Sequence, residues 1–298
     1  MTLTWAIDYK PIVYQAFKTG MDMVESRIPT LFDVQGSVDA SEYHIGLGGS
    51  STAVWDEYET LGTTGLMDQE RGYATTFTHS EKTARFSLLK KHIEDRGAWN
   101  VAQESLENAG INLQLKREED AASVFNNAFS SSYTGADGVS LCNASHPQSP
   151  DNTGDTYDNT GTSAFSYAAL KQTRKDMRNW DDSFDNPMMR RGRFILHPID
   201  LSETVDEVLN ASGKPGTADN DANAARGYSA MDWDFLSDAN NWFLIDPLWM
   251  KRSLKWYNRV MLEVMIVEEA TTHVVYEFRS RYSYGWIDPR WIFGHEVT

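Results

Sequence analysis

The sequence predicts a mixed α+β fold, and three observations carry that reading. Apolar residues recur at helical spacing between about Ser87 and Phe129, strand-like alternation appears before and after that stretch, and nothing repeats at the spacing of βαβ units. A doubly wound parallel sheet is therefore excluded. With 298 residues, 41% of them hydrophobic and 12% aromatic, the chain is long enough to bury a substantial core. Its length fits about two folded units.

Residues 1 to about 34 mix apolar and charged side chains, with Pro11 and Pro29 as breakers and a short helix expected through Tyr14, Phe17, Met21 and Val24. This segment reads as an arm. Its apolar face is too small to be buried alone, so it should lie against another part of the subunit or against another copy. From about Gly36 to Glu81 the chain is rich in Gly, Ser and Thr. The alternations Val54, Asp56, Tyr58 and Tyr73, Thr75, Phe77 predict two extended strands around the glycine-punctuated tip Leu61-Gly-Thr-Thr-Gly-Leu66. A hairpin with so little apolar content is marginal in isolation and wants a neighbour.

The helical stretch carries Leu89, Ile93, Ala98, Val101, Ala102, Leu106, Ala109, Leu113, Ala121, Val124, Phe125, Ala128 and Phe129 on one face. Gly97 and Gly110 interrupt it, each at a cost of about 1 kcal/mol relative to Ala, which predicts a break near Gly97 and the longest helix of the protein after it. Turn residues follow: Asp137-Gly138, His146-Pro147, and the tandem Asp151-Asn-Thr-Gly154 and Asp158-Asn-Thr-Gly161. A helix is expected from Tyr167 to Trp180. The run Arg193-Phe-Ile-Leu-His-Pro198 reads as a buried strand ended by proline, with a helix from Ile199 to Leu209 behind it. Residues 210 to 227 form a polar loop. Trp242-Phe-Leu-Ile-Asp-Pro247 repeats the strand-then-proline device ahead of a helix near Leu248, and residues 261 to 297 are mostly extended.

Charge excludes a class of function. Lys and Arg number 27 against 43 Asp and Glu, a net charge of −16, so nothing supplies the clustered cations that gripping nucleic acid requires. Even Lys251-Arg252-Ser253-Leu254-Lys255 is interleaved with apolar residues and reads as a core edge. A single cysteine, Cys142, allows no intrachain disulfide and no Cys-based zinc site, and it reads as a small buried thiol. No stretch approaches the roughly 18 apolar residues of a membrane span, which predicts a soluble protein without a membrane partner.

The sequence carries no complete catalytic or metal-binding motif. The seven histidines, at 44, 79, 92, 146, 197, 273 and 295, hold no metalloprotease spacing, and His146 and His197 read as strand-end residues bonded to backbone. Asp219, Asp221 and Asn223 have the first spacing of a calcium loop, but Ala224 and Ala230 stand where its glycine and glutamate belong. Gly46-Leu-Gly-Gly49 lacks the third glycine of a dinucleotide fingerprint. The acidic runs Glu118-Glu-Asp120, Asp181-Asp182 and Glu268-Glu269, together with ten tryptophans, leave a carbohydrate-active enzyme as one alternative. No cofactor is expected.

In order, the pieces resemble something specific: an arm, a long hairpin, a long helix ending in Ala121-Ala-Ser-Val-Phe-Asn-Asn-Ala-Phe129, then Thr134-Gly-Ala-Asp-Gly-Val-Ser-Leu-Cys-Asn-Ala-Ser-His-Pro147. The strand-proline pairs at 196–198 and 245–247 and the ending Phe278-Arg-Ser-Arg-Tyr-Ser-Tyr-Gly-Trp286 to Trp291-Ile-Phe-Gly294 continue it. This order resembles the tailed-bacteriophage major capsid proteins of the Hong Kong 97 fold, over nearly the whole chain. The resemblance implies an N-arm (1–35), an extended E-loop (36–82), a P-domain with a spine helix (83–147), an A-domain (148–264) and C-terminal strands (265–298). It implies no catalysis. It also implies self-assembly as hexamers and pentamers into an icosahedral head, built in the host bacterial cytoplasm and loosely enclosing double-stranded DNA. Portal, scaffolding and cement proteins are the further partners implied, and another virion component such as a tail tube protein is the second alternative.

An acidic lining that does not hold the genome suits such a container. The subunits must still attract one another, so ion pairs between copies are expected from Asp56, Glu57, Glu59, Asp68, Glu70 or Arg71 of the hairpin to Arg85, Lys90, Lys91, Lys116 or Arg117. Residues 36–81 hold no lysine. The lysine-to-asparagine weld of some family members is therefore not expected, nor is a fused scaffolding segment.

Overall fold

The computed structural model describes residues 4–50, 69–213, 222–270 and 272–298. Helices α1 (Thr4–Asp22) and α2 (Ile28–Leu31) lead into strands β1 (Asp33–Gly36), β2 (Ser41–Ser50), β3 (Gln69–Thr78) and β4 (Ser80–Leu89). Helix α3 (Lys90–Glu94) precedes the 31-residue α4 (Arg96–Asn126). Then come β5 (His146–Pro147), β6 (Thr156–Tyr157), β7 (Thr160–Gly161), α5 (Tyr167–Arg178), β8 (Phe194–His197), α6 (Ser202–Asn210), β9 (Ser229–Asp232) and β10 (Trp242–Ile245). The chain closes with α7 (Pro247–Ser253), β11 (Leu254–Glu269), β12 (His273–Trp286) and β13 (Ile292–His295). Two units result, one of residues 1–42, 77–121 and 256–284, the other of residues 43–76, 122–255 and 285–298. Among the described residues, no helix is long and apolar enough to cross a membrane.

The first unit is a four-stranded sheet, in the order β1-β11-β12-β4, covered by helices. β12 and β4 run antiparallel from His273 opposite Leu89 to Tyr282 opposite Ser80. Val274, Tyr276, Phe278 and Tyr282 share the buried face of β12, as the period of two demands. Helix α1 buries Val13, Ala16, Phe17, Gly20 and Met21, an i, i+3, i+4 stripe, and the Phe17 ring stacks on Phe278 at 4.2 Å. The arm thus packs within its own subunit. It is also more helical than the sequence suggests: Pro11 lies inside α1, on its exposed side, where the Ile7 carbonyl that loses its donor is open to water. The break before the long helix falls at Asp95, whose backbone is extended, two residues ahead of Gly97.

The second unit holds a five-stranded mixed sheet in the order β7-β13-β10-β8-β9. β10 is antiparallel to both β13 and β8, whereas β8 with β9 and β13 with β7 are parallel. All four residues of β10 are buried, because helices and loops cover both faces, and its sequence is accordingly continuous rather than alternating in hydrophobicity. Trp242, Leu244, Ile195 and Phe293 meet Leu170 and Met177 of α5 and Val205 and Leu209 of α6 in one core. The last turn of α4 contributes Phe125, edge-on to Trp233, Phe243 and Trp291.

Two loop expectations change. Of the tandem Asp-Asn-Thr-Gly repeats only the first is a surface turn; Asn159 of the second is fully buried. Its amide donates to the Leu141 and Ile292 carbonyls, and its oxygen accepts from the Asn143 N–H and His146 Nε2. His146 correspondingly bonds side chains rather than backbone, with Nδ1 2.7 Å from Asp137 Oδ2. His197 does bond backbone, at the Pro198 carbonyl. Cys142 is buried, and desolvation raises its thiol pKa far above the ordinary range.

Candidate functional site

The expected contact residues divide sharply. Asp56, Glu57, Glu59 and Asp68, the strand Val54 to Tyr58, the tip and the Asp219–Asp221 pair lie outside the described residues. Strands β2 and β3 form a two-stranded ribbon, on which Tyr43, Ile45 and Arg71 are exposed and Glu70 is half-buried. Arg71 Nη2 donates to the Tyr43 hydroxyl at 2.9 Å. Arg85 pairs with Glu277 directly opposite it on β12, at 2.7 Å. Lys90 faces Glu94 at 3.6 Å, Lys116 holds Glu119 and Asp120 at 2.8 and 3.1 Å, and Lys91 is exposed on α3. Such pairs at the surface contribute at most about 1 kcal/mol each.

Arg117 departs from the expectation of a surface contact. It is 4% exposed, its guanidinium lies over the Trp256 and Tyr282 rings, and Nη2 donates to Asn258 Oδ1. Nε and Nη1 are buried without a hydrogen-bond partner, and desolvation lowers the pKa of the group. The spacing on α4 put Arg117 beside Lys116, but one residue is about 100° of helix, enough to turn it from water to core.

Of the acidic runs weighed as catalytic, Glu118, Asp120 and Asp182 are committed to structure. Glu118, 1% exposed, accepts from Ser26 Oγ, the Arg27 N–H and Gln114 Nε2. Asp120 accepts from the Tyr282 hydroxyl at 2.8 Å, and burial together with that carboxylate raises the tyrosine pKa. Asp182 caps its own turn through the Phe184 and Asn186 N–H groups. Among the described residues, no group of three or more His, Cys, Asp or Glu could hold a metal ion.

A cationic cavity of about 350 Å³ is the feature that sequence reading missed. Asp246, just after β10, supports it from behind the lining: one carboxylate oxygen caps α7 through the Leu248 and Trp249 N–H groups, and the other accepts from the Arg191 N–H at 2.6 Å. That fixes Trp249 and Arg252 on α7 against Arg190. The Arg190 guanidinium lies 3.6 Å above the Trp249 ring, donating to the Arg290 and Met188 carbonyls, and Arg252 approaches the same ring at 5.0 Å. Desolvation pushes Arg190 down to about 10, so it stays charged at neutral pH. Lys255, Arg290 and Asp288 complete the ionisable lining with His44. Desolvation opposes ionisation of Asp288, but the charge and hydrogen bonds of Arg290 outweigh it and hold the carboxyl below its ordinary value. The only sequence signal was Lys251 to Lys255, read as a core edge.

Beside this, a wider cavity of about 800 Å³ is walled by Asp155, Asp158, Asp176, Asp181, Asp182 and Asp185. His295 at its floor stacks on Trp242 at 4.2 Å, and burial pushes its pKa down to about 4. His295 bonds the Thr173 hydroxyl at 2.7 Å, with Thr173 Oγ1 itself donating to the Ala169 carbonyl.

Solved structures share this fold. The chain superposes on a chain of the structure of Mycobacterium phage Patience with a TM-score of 0.56 at 10% identity, covering 98% of this chain and 86% of that one. The capsid of bacteriophage JBD30, decorated with minor capsid protein trimers, gives 0.55 at 13% identity over 74% and 94%. A virus-like particle from Pyrococcus furiosus gives 0.51 at 10% identity over 97% and 99%. No curated protein sequence matches the chain. The fold is one found in a phage capsid and a virus-like particle. Residues 80–294, most of the sequence, match the phage capsid protein family, and the chain belongs to that family. It is therefore a structural protein of the phage capsid, a component of the virion and not an enzyme, and the carbohydrate-enzyme alternative falls away.

Proposed function

We propose that this chain is the major capsid subunit, which assembles as hexamers and pentamers into the icosahedral head that encloses phage double-stranded DNA. The family match over residues 80–294 carries the reading. In this assignment residues 1–35 are the N-arm, 36–82 the E-loop, 83–147 the P-domain with α4 as its spine, 148–264 the A-domain and 265–298 the returning strands. The β2–β3 ribbon supports the E-loop role, because on β3 only Gly72 and Phe77 are buried and the ribbon keeps exposed apolar side chains such as Tyr43 and Ile45. A net charge of −16 suits loose enclosure of DNA.

Assembly in the bacterial cytoplasm, with portal and scaffolding proteins, completes the reading; the minor capsid protein on the JBD30 capsid makes a cement protein a reasonable further partner. Expression of the chain, sedimentation, and negative-stain electron microscopy of the heaviest fraction test it. Closed shells, or rings of five and six, are the expected result. A monomer that stays monomeric with scaffolding protein or crowding agent would overturn it, and open tubes would assign the chain to a tail instead.

A further inference from the structure

The cationic cavity around Trp249 stands against the charge of the whole molecule. Its wall carries Arg190, Arg252, Lys255 and Arg290 against the single carboxylate of Asp288, in a chain with 43 acidic and 27 basic residues. Arg290 is bound to Asp288 through Nε and Nη2. Among the described residues, neither Arg190 nor Arg252 has a carboxylate within 4.0 Å; each instead lies over the same indole ring. Two guanidinium groups near one ring concentrate positive charge, which Asp288 and Asp246 offset in part at Arg190, and the site attracts a further anion. Arg190, 7% exposed, spends Nε and Nη1 on backbone carbonyls, while the exposed Arg252 keeps its whole donor fork. An open fork beside a fixed one is the geometry for a planar carboxylate, which accepts two parallel hydrogen bonds from an arginine.

We propose that this cavity is a carboxylate site through which one copy of the chain holds an acidic side chain of a second copy. The inference rests on the capsid reading, which brings many copies into contact. Copies that each carry a charge of −16 repel at long range, so their contacts need local cationic sites. The surface lysines and arginines expected from sequence to serve this purpose are largely paired inside their own subunit or, like Arg117, buried. Arg190 and Arg252 are, among the described residues, two cations without a carboxylate partner that share one cavity and one indole ring, and complementarity with the excess of Asp and Glu on the outside of another copy selects the occupant.

The test compares the full-length wild type with Arg252→Glu and Arg252→Lys, using near-UV circular dichroism for folding, sedimentation for particle yield, and calorimetric titration with citrate as a small carboxylate probe. Expected are native spectra for all three, a particle yield lowered about tenfold or more by Arg252→Glu, and an intermediate yield for Arg252→Lys, which keeps the charge and loses the fork. A folded Arg252→Glu that assembles like wild type overturns the proposal and leaves the capsid reading intact. If citrate binds the wild type while Arg252→Glu assembles normally, the cavity is a small-anion site and the inter-copy role is overturned. If Arg252→Glu misfolds, Arg252→Gln takes its place, judged by the same yield. A wild type that forms no particles under any condition overturns the capsid reading and this proposal with it.

Discussion

Gly110 of α4 lies so close to Phe17 of α1 that a β-carbon built on it would stand 2.0 Å from the Phe17 carbonyl oxygen. Gly20, on the facing helix, meets the Glu107 carbonyl oxygen at 1.9 Å in the same way. The two glycines let the helix backbones touch, and this crossing is what docks the N-terminal segment in its own subunit.

Gly110→Ala should therefore destabilise the protein by about 1–3 kcal/mol, because the obstacle is backbone, and the roughly 1 kcal/mol of better helix propensity does not offset it. Gly97→Ala is the control: nothing lies within 4 Å of its added carbon. Urea denaturation should show a lower midpoint for the first variant and an unchanged or higher one for the second.

His295 makes stability fall with acid. Its Nδ1 accepts from the Ser163 N–H, and Nε2–H donates to Thr173 Oγ1 at 2.7 Å, so the network fits a neutral ring and a second ring proton would face a donor. Desolvation alone depresses the pKa to about 4. The unfolded chain, with a histidine pKa near 6.5, then binds more protons, and up to ~3 kcal/mol is lost as pH falls from about 6.5 to about 4. The stability difference between wild type and His295→Gln, measured across that window, should narrow as the pH falls. A constant difference would contradict the neutral ring.

Arg117 separates charge from packing. Arg117→Met keeps the volume over Trp256 and Tyr282 while removing two buried donors without partners, so stability should stay level or rise. Arg117→Ala leaves a hole and should cost about 2 kcal/mol or more. Thermal unfolding of both variants reads the ordering directly.

Asp246→Ala removes the cap of α7 and leaves the Arg191 N–H without its acceptor, a loss of about 2 kcal/mol. Because the same carboxylate holds Trp249 in place, tryptophan fluorescence should report a loosened cavity even below the unfolding transition.

Much of the architecture was legible in local pattern. The strand-proline pairs at His197-Pro198 and Asp246-Pro247 end β8 and β10 because proline cannot continue a sheet ladder and starts a helix well, and both signals act within a few residues. The alternation at Tyr276, Phe278 and Tyr282 marked the buried face of β12 for the same reason. The break near Gly97 falls at Asp95, which adopts an extended backbone, while Gly97 itself is tolerated inside the helix. Asn159 was misread because its turn-forming composition is identical to that of Asn152, and only burial makes one a hub and the other a surface turn.

The sequence by itself determined the α+β class, the acidic charge, the absence of a disulfide, the long helix and the order of elements that resembles a capsid protein, since periodicity, composition and turn chemistry are short-range properties. Only the tertiary structure decided that the arm docks on α4, that Arg117 is core, and that Arg190 and Trp249, 59 positions apart, share one cavity with Arg252. Those facts depend on which distant backbones are brought close enough for a glycine to be required or for two like charges to meet, and no local window of residues encodes that.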